Sequence, residues 1–286
     1  MVVARRCLLD RQFRAIAFVP TLASARLETK VNYADTGCRP DNPDMKFDKP
    51  ARTPWHEFPD VLIHAGESAV KRNVDYPAAK AGNVPAARRL VEAMLNEPVV
   101  VKLGTLAVGA DPLLASVHAY EAEGINRIPA VLAEVLAERL GLHAEDSVVQ
   151  TNRSGHTGAS GYHRLAHPAL FDGEVEHGRS YLLVDDFVGQ GGTIANLKGF
   201  IETKGGRVLL CTTLTGKPYS AKLTPSDATL RVLRAKHGDE LETWWKNNFG
   251  YGFDYLTESE ARYLERADSA QLIRDRLLAA RQKGDA

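Results

Sequence analysis

The sequence predicts an α/β fold, a mainly parallel sheet with helices on both faces, preceded by an N-terminal helical extension and followed by C-terminal helices. Three observations predict it. Between residues 98 and 216, apolar runs of strand length alternate with runs of helix length, the pattern of βαβ units. The run from Ile128 places Ile128, Val131, Leu132, Val135, Leu136 and Leu140 on one face and Glu134 and Glu138 on the other, then stops at Gly141, as a helix covering a sheet does. The stretch "GRSYLLVDDFVGQGGTIANLKGF", Gly178 to Phe200, runs an apolar strand into two carboxylates, then into glycines and a threonine, then into a helix.

Residues 1–55 read as an irregular N-terminal arm, dense in Pro, Asp and Gly through "TGCRPDNPDMKFDKPARTP". A helical N-terminal element follows over 56–97, with Ala87, Leu90, Val91 and Met94 at helical spacing behind Pro85. The α/β domain is expected over 98–256. Its predicted order is strands "PVVVKL" and "LLASVHA", the helix from Ile128, strands "DSVVQTN" and "SYLLVDD", the helix "GTIANLKGFIETKGG" and the strand "RVLLCTTLT". Thr224 is the expected N-cap of the helix in "TPSDATLRVLRAKHG". Thr257 and Glu260 form a capping box that opens a C-terminal helical segment, 257–286. The aromatic stretch "WWKNNFGYGFDY" reads as core ahead of a stacking surface for a ligand.

Composition narrows the classes of function. The 36 Lys and Arg balance the 36 Asp and Glu, so no global field recruits nucleic acid or an anionic membrane. The three cysteines, Cys7, Cys38 and Cys211, form neither a CxxC pair nor a secreted disulfide framework, which points to a reducing cytoplasm. No apolar run approaches the roughly 18 residues of a membrane span. Arg5, Arg6, Arg11 and Arg14 ahead of "AIAFVPTLASA" imitate a signal peptide, but Asp10 and Pro20 interrupt the imitation. At 286 residues the chain can bury a large core as one domain with extensions, and nothing in it fixes an oligomeric state; a homodimer is allowed.

In an open parallel sheet, ligands bind beyond the carboxyl ends of the strands. "YLLVDD" delivers Asp185 and Asp186 to that edge, where both are expected to face solvent. The glycines after them let successive backbone N–H groups turn toward a common centre, and the helix beginning near Thr193 adds its dipole. Carboxylates accept hydrogen bonds from vicinal hydroxyls and the loop holds an anion, so a sugar phosphate satisfies both. A P-loop needs a lysine beside its glycines, and Lys198 comes too late. A dinucleotide site needs GxGxxG, and Ile194 stands where its last glycine belongs.

Val184-Asp185-Asp186-Phe187-Val188-Gly189-Gln190-Gly191-Gly192-Thr193 resembles the signature of the type I phosphoribosyltransferases: an apolar strand, two acids, two apolar residues, two small hydroxyl residues and Gly-Gly-Thr. Gly189 and Gln190 stand where that family commonly has Thr or Ser. The resemblance implies a type I phosphoribosyltransferase-like fold. It implies that Asp185 and Asp186 hold the ribose hydroxyls of 5-phosphoribosyl 1-diphosphate and that Gly189, Gln190, Gly191, Gly192 and Thr193 hold its 5-phosphate. It implies Mg²⁺, met by Asp185 and Asp186 through water, and transfer to a nitrogen acceptor such as a nucleobase with release of pyrophosphate. The loop with Glu123, Gly124, Asn126 and Arg127 stands where the family receives pyrophosphate; "EGINRI" is also similar to a segment of competence-associated phosphoribosyltransferase-like proteins. By its residues alone Asn126 reads equally as a helix cap. The connection "RSGHTGASGYHRLAHPALFDGEVEHG" stands where the family has a lid, with Arg153, His156 and Arg164 as donors to the diphosphate. Lys217, at the end of the next strand, suits contact with the acceptor. His163 and His167 lack the partners of a zinc site. The alternatives are a regulator or accessory protein that binds the phosphoribosyl donor without turnover, and a hydrolase of a nucleotide or phosphoribosyl ester.

Overall fold

The structure, a computed structural model, describes residues 46–117, 120, 121, 124–152 and 160–284. An extended segment, 46–61, leads into β1 (Leu62–Gly66) and four helices: α1 (Glu67–Arg72), α2 (Tyr76–Lys80), α3 (Val84–Met94) and α4 (Glu97–Ala107). Next come β2 (Leu113–Ser116), the short hairpin β3 (Tyr120–Glu121) and β4 (Gly124–Ile125), α5 (Ile128–Leu140), β5 (His143–Glu145), β6 (Val149–Gln150), α6 (Gly161–Ala166) and β7 (Phe171–Asp172). The chain then forms β8 (Ser180–Val188), α7 (Gly192–Thr203) and β9 (Arg207–Gly216), and closes with α8 (Asp227–Phe249), α9 (Glu258–Glu265) and α10 (Ala270–Gly284).

Five strands form one sheet in the order β1-β9-β8-β2-β5, and every pairing in it is parallel. The central strand, β8, is buried along nearly its whole length, which is why it reads as a continuous apolar run rather than an alternating one. Alternation still decides direction. Leu182 and Val184 pack with Leu90, Leu132 and Leu136 of α3 and α5 on one face, and Tyr181 and Leu183 pack with Ile194, Leu197 and Ile201 of α7 on the other. Each of those fully buried leucines contributes on the order of 1.5–3 kcal/mol. A third cluster joins Leu241, Trp245 and Phe249 of α8, Ile273 and Leu277 of α10, Tyr162 and Leu165 of α6, and Phe47 from the extended segment. The aromatic stretch is thus core: Trp245 is fully buried, with the Phe249 ring at 4.3 Å.

Several predicted elements change. "PVVVKL" is helical, not a strand: Asn96 accepts a hydrogen bond from Val99 N at 3.3 Å, Pro98 lies in the first turn, and Val100, Leu103 and Ala107 are buried at helical spacing. The region expected to be only helical supplies the edge strand β1, paired with β9, so the sheet begins at Leu62 and not after residue 97. Only Val149 and Gln150 of "DSVVQTN" are extended, in an antiparallel pair with β7; β5 takes the place beside β2. The N-cap of α8 is Ser226, which accepts from Thr229 N at 3.2 Å, and not Thr224. Residues 46–284 lie within one compact unit. Among the described residues no helix is long and apolar enough to cross a membrane.

Candidate functional site

The period of β8 sends its two acids to opposite faces. Asp185, paired in register with Thr213, follows Tyr181 and Leu183 onto the α7 side and is 6% exposed. Burial, reinforced by the neighbouring charge of Asp186, pushes its carboxyl well above the usual range; Lys80 opposes this in part. The Cys211 thiol is in turn pushed up by its own burial and by Asp185. Asp186 follows Leu182 and Val184 onto the α5 side. There its Oδ2 accepts from Lys80 Nζ at 3.0 Å and from Asn126 Nδ2 at 2.9 Å, while its backbone N–H donates to Asp185 Oδ1 at 2.8 Å. The expectation that both carboxylates face solvent is therefore corrected: one is buried and the other is held by an ammonium and an amide.

Asn126 makes two side-chain contacts at the start of α5. Its Oδ1 accepts from Ile128 N at 3.2 Å at the start of α5 while its Nδ2 reaches Asp186. Arg127 occupies the position before α5 and caps it only through its carbonyl, which accepts from Val131 N at 3.0 Å. Gly124 opens β4, opposite Glu121.

The turn after β8 is built around Gly191, whose φ of 80° lies in the left-handed region. A side chain there would also meet Leu223 Cδ2 at 2.5 Å. The Gln190 carbonyl accepts from Thr257 Oγ1 at 2.5 Å, which fixes the peptide so that the Gly191 N–H points the opposite way. Gln190 Oε1 is buried without a hydrogen-bond partner among the described residues. The N-cap of α7 is Gly191, which has no side chain to cap the helix, and Gly192 and Thr193 sit half-buried in its first turn. Behind the loop, an added β-carbon on Gly192 would come 2.6 Å from Glu260 Oε1. Glu260 is itself neutralised by Arg52 at 3.0 Å, with both side chains 3% exposed. Arg52 also donates to the Tyr255 carbonyl at 3.0 Å and to Asn196 Oδ1 at 2.5 Å.

Cations lie near the end of β8. Lys71 Nζ lies 5.8 Å from the centre of the Phe187 ring, and Lys217 donates its backbone N–H to Val188 O at 3.1 Å with its ammonium 5.9 Å from the Tyr219 ring. Glu67, hydrogen-bonded to Lys71 and influenced by Lys217, has its carboxyl lowered. Arg164 of α6 reaches Gly189: a β-carbon on Gly189 would lie 2.9 Å from Arg164 Nη1. Burial lowers the pKa of that guanidinium. This places Arg164 beside the glycine loop. The half of the lid that is described is packed: Ser160 caps α6, and Tyr162, Leu165 and Ala166 are buried against α8 and α10. Arg153, His156 and Glu123 lie outside the described residues. The His163 and His167 rings stand 4.5 Å apart, His167 contacts Ala280 O and Arg281, and no group of metal-ligating residues exists among the described residues.

Lys80, Lys71, Thr257 and the Arg52–Glu260 pair escape sequence reasoning as site components. Only Thr257 and Glu260 carry a local signal, the capping box, which is present in both halves and reports helix α9 and not the loop it supports. Lys80 ends a five-residue helix with no motif around it.

No family model matches the chain. It is 40% identical over 237 residues to Protein TraN of Escherichia coli, a match covering 83% of this chain and 53% of that protein. It is 36% identical over 151 residues to an uncharacterized protein of Haemophilus influenzae, covering 52% of this chain and 34% of the relative. The chain thus spans about half the length of the first relative and about a third of the second. Among solved structures, adenine phosphoribosyltransferase from Thermoanaerobacter pseudethanolicus is 17% identical with a TM-score of 0.27, over 41% of this chain and 77% of that one. A second adenine phosphoribosyltransferase is 16% identical with a TM-score of 0.28, over 43% and 73%.

Proposed function

We propose that the chain binds 5-phosphoribosyl 1-diphosphate and transfers its phosphoribosyl group to a nitrogen acceptor, a nucleobase or an amine, releasing pyrophosphate. The observation that carries this reading is the continuous passage from the acid pair at the end of β8, through the left-handed turn at Gly191, into the uncapped start of α7, with cations on the surrounding elements. In this reading carboxylates accept from the ribose hydroxyls, loop amides and the helix dipole hold the 5-phosphate, Arg127 receives the diphosphate and Lys217 meets the acceptor.

In the reaction the bond from C1 to the diphosphate oxygen breaks with its electron pair leaving on pyrophosphate. The acceptor nitrogen then bonds to C1 and loses its proton to solvent. Positive charge grows on the ribose and negative charge on the leaving group. This chain contributes orientation and electrostatic stabilisation and needs no covalent nucleophile. Among the described residues the donors do not build a metal cage: Asp186 already has Lys80 and Asn126 on one oxygen, and Asp185 is buried. They fit a Mg²⁺ that would arrive with the diphosphate and meet Asp186 through water, where it would neutralise charge on the leaving group; Asp185, buried on the opposite face, would stay out of its shell.

A second reading, a regulator that binds the donor without turnover, is favoured by one observation: the Asp186 oxygen that a ribose hydroxyl would use is already engaged. Incubation with Mg²⁺, the donor and a pool of bases and amines separates the two. Pyrophosphate release supports transfer. Binding without release supports the regulator. At donor concentrations 100 times the dissociation constant, stability should rise by about 2.7 kcal/mol; no saturable shift at millimolar donor would exclude both.

A further inference from the structure

Gly191 is a glycine because its φ is 80°. Gly189 has no such reason: its φ lies outside the left-handed region, so its backbone accepts any residue. What a side chain there would meet is the guanidinium: a β-carbon would stand 2.9 Å from Arg164 Nη1 and 3.1 Å from Phe187 Cε1, so a side chain at 189 and the guanidinium compete for one position. The guanidinium arrives on a helix fixed from the other side, since Tyr162 and Leu165 flank it in sequence and are buried in the α8–α10 cluster. Burial has already cost this cation part of its hydration.

We propose that Arg164 and Gly189 act as one unit, in which the guanidinium supplies the side-chain donor that the loop lacks at 189 and, with the loop amides, binds a phosphate monoester. The fork of N–H donors suits the two outward oxygens of such a group, and the guanidinium stays charged at any working pH. The unit rests on the proposed function for the identity of the sugar attached, but not for the phosphate. It makes the small residue at 189 and the arginine at 164 mutually dependent. A larger residue at 189 displaces the guanidinium, and loss of the guanidinium opens room for a larger residue.

The test is calorimetric binding of ribose 5-phosphate, inorganic phosphate, ribose and 5-phosphoribosyl 1-diphosphate to the full chain and to Arg164→Ala, Arg164→Lys, Gly189→Thr and the double variant Arg164→Ala/Gly189→Thr. Arg164→Ala should weaken ribose 5-phosphate by about 10- to 100-fold, the loss of a hydrogen bond to a charged group, and Arg164→Lys should fall between it and the parent. Gly189→Thr alone should weaken binding too. The double variant should bind more tightly than Arg164→Ala alone, because the threonine hydroxyl then occupies the vacated volume. Ribose 5-phosphate affinity within twofold of the parent in folded Arg164→Ala overturns the inference, as does a double variant no better than the single one. Melting curves for every variant establish folding, and Arg164→Lys keeps the comparison usable if Arg164→Ala is unstable. Arg164-dependent binding of ribose 5-phosphate without binding of the diphosphate donor removes the transferase reading and leaves this inference standing. No binding of any phosphate by the parent removes both.

Discussion

From Ser180 to Thr203 the site is written in consecutive residues, and around it the same site is assembled from residues far apart. In the first region, strand period sends Asp185 and Asp186 to opposite faces, and one left-handed glycine turns the chain into α7. In the second, Lys80 meets Asp186 across 106 residues and Thr257 meets the Gln190 carbonyl across 67. The first region sets which groups are present. The second sets their charge state and orientation: Lys80 opposes in part the repulsion within the acid pair, and Thr257 holds the peptide that aims the Gly191 amide.

The comparison breaks most visibly at Glu260. Its carboxylate and the Arg52 guanidinium are both nearly fully buried and bonded through two oxygens, behind the first turn of α7. Glu260→Ala leaves a buried cation without its partner and should destabilise the fold by about 3–5 kcal/mol in urea unfolding. If the loss is below about 1 kcal/mol, the magnitude of an exposed pair, the surrounding elements do not hold the loop in the way argued.

This division also explains what the sequence made legible. The parallel sheet, α5 with its left-handed cap at Gly141, and the β8–loop–α7 passage depend on periods of two and 3.6 residues and on single glycines, all local signals. The misread elements depended on context. Val99, Val100 and Val101 look like a strand, but Asn96 caps them and burial falls at helical spacing. The run "LIHAG" is too short to declare itself, and becomes a strand because β9 offers an unpaired edge. Arg164 was legible as a cation near the site, while its partner, the space at Gly189, exists only in the folded chain.

A pH profile tests the buried groups on the two sides of the sheet. His64 accepts a hydrogen bond from Asn96 N at 3.2 Å and burial holds its pKa down to about 4. The unfolded chain then binds a proton that the folded chain refuses, so stability falls as pH drops from about 6.5 through 4, by up to about 3 kcal/mol. His64→Gln should flatten that slope. Asp185 has the opposite sign. Its raised pKa means that the folded chain keeps a proton the unfolded chain has lost, so stability falls as pH rises above about 3.9 through the folded value. Asp185→Asn should therefore be more stable than the parent at neutral pH, with the gap closing toward pH 4. A gap that is constant with pH removes the account of Asp185 as a buried carboxyl.

The Asp186–Lys80 contact sharpens the comparison in binding rather than stability. Asp186→Asn should weaken the phosphoribosyl donor by about 1.5–3 kcal/mol, the range for a hydrogen bond to a charged group. Lys80→Met and the double variant complete a cycle. A coupling of about 0.5–3 kcal/mol is expected if the strand acid and the α2 lysine act as one element of the site. Additive effects would mean that Lys80 is only a neighbour.

The smallest effect separates local from tertiary signals at the start of α8. Thr224 precedes Pro225 and looks like the cap, yet its hydroxyl is buried with no hydrogen-bond partner among the described residues. Ser226 accepts from Thr229 N at 3.2 Å and its own N–H donates to Glu258 Oε2 at 2.7 Å, so the helix start is chosen by α9 as much as by the local sequence. Ser226→Ala should cost about 1 kcal/mol, the usual loss of a side-chain cap. Thr224→Ala should cost less, because no hydrogen bond is lost and a buried hydroxyl without a partner is removed. Thermal unfolding of both variants gives the order directly. If Thr224→Ala is the more damaging of the two, the helix begins where the sequence alone places it, and the contact with Glu258 follows from the cap instead of selecting it.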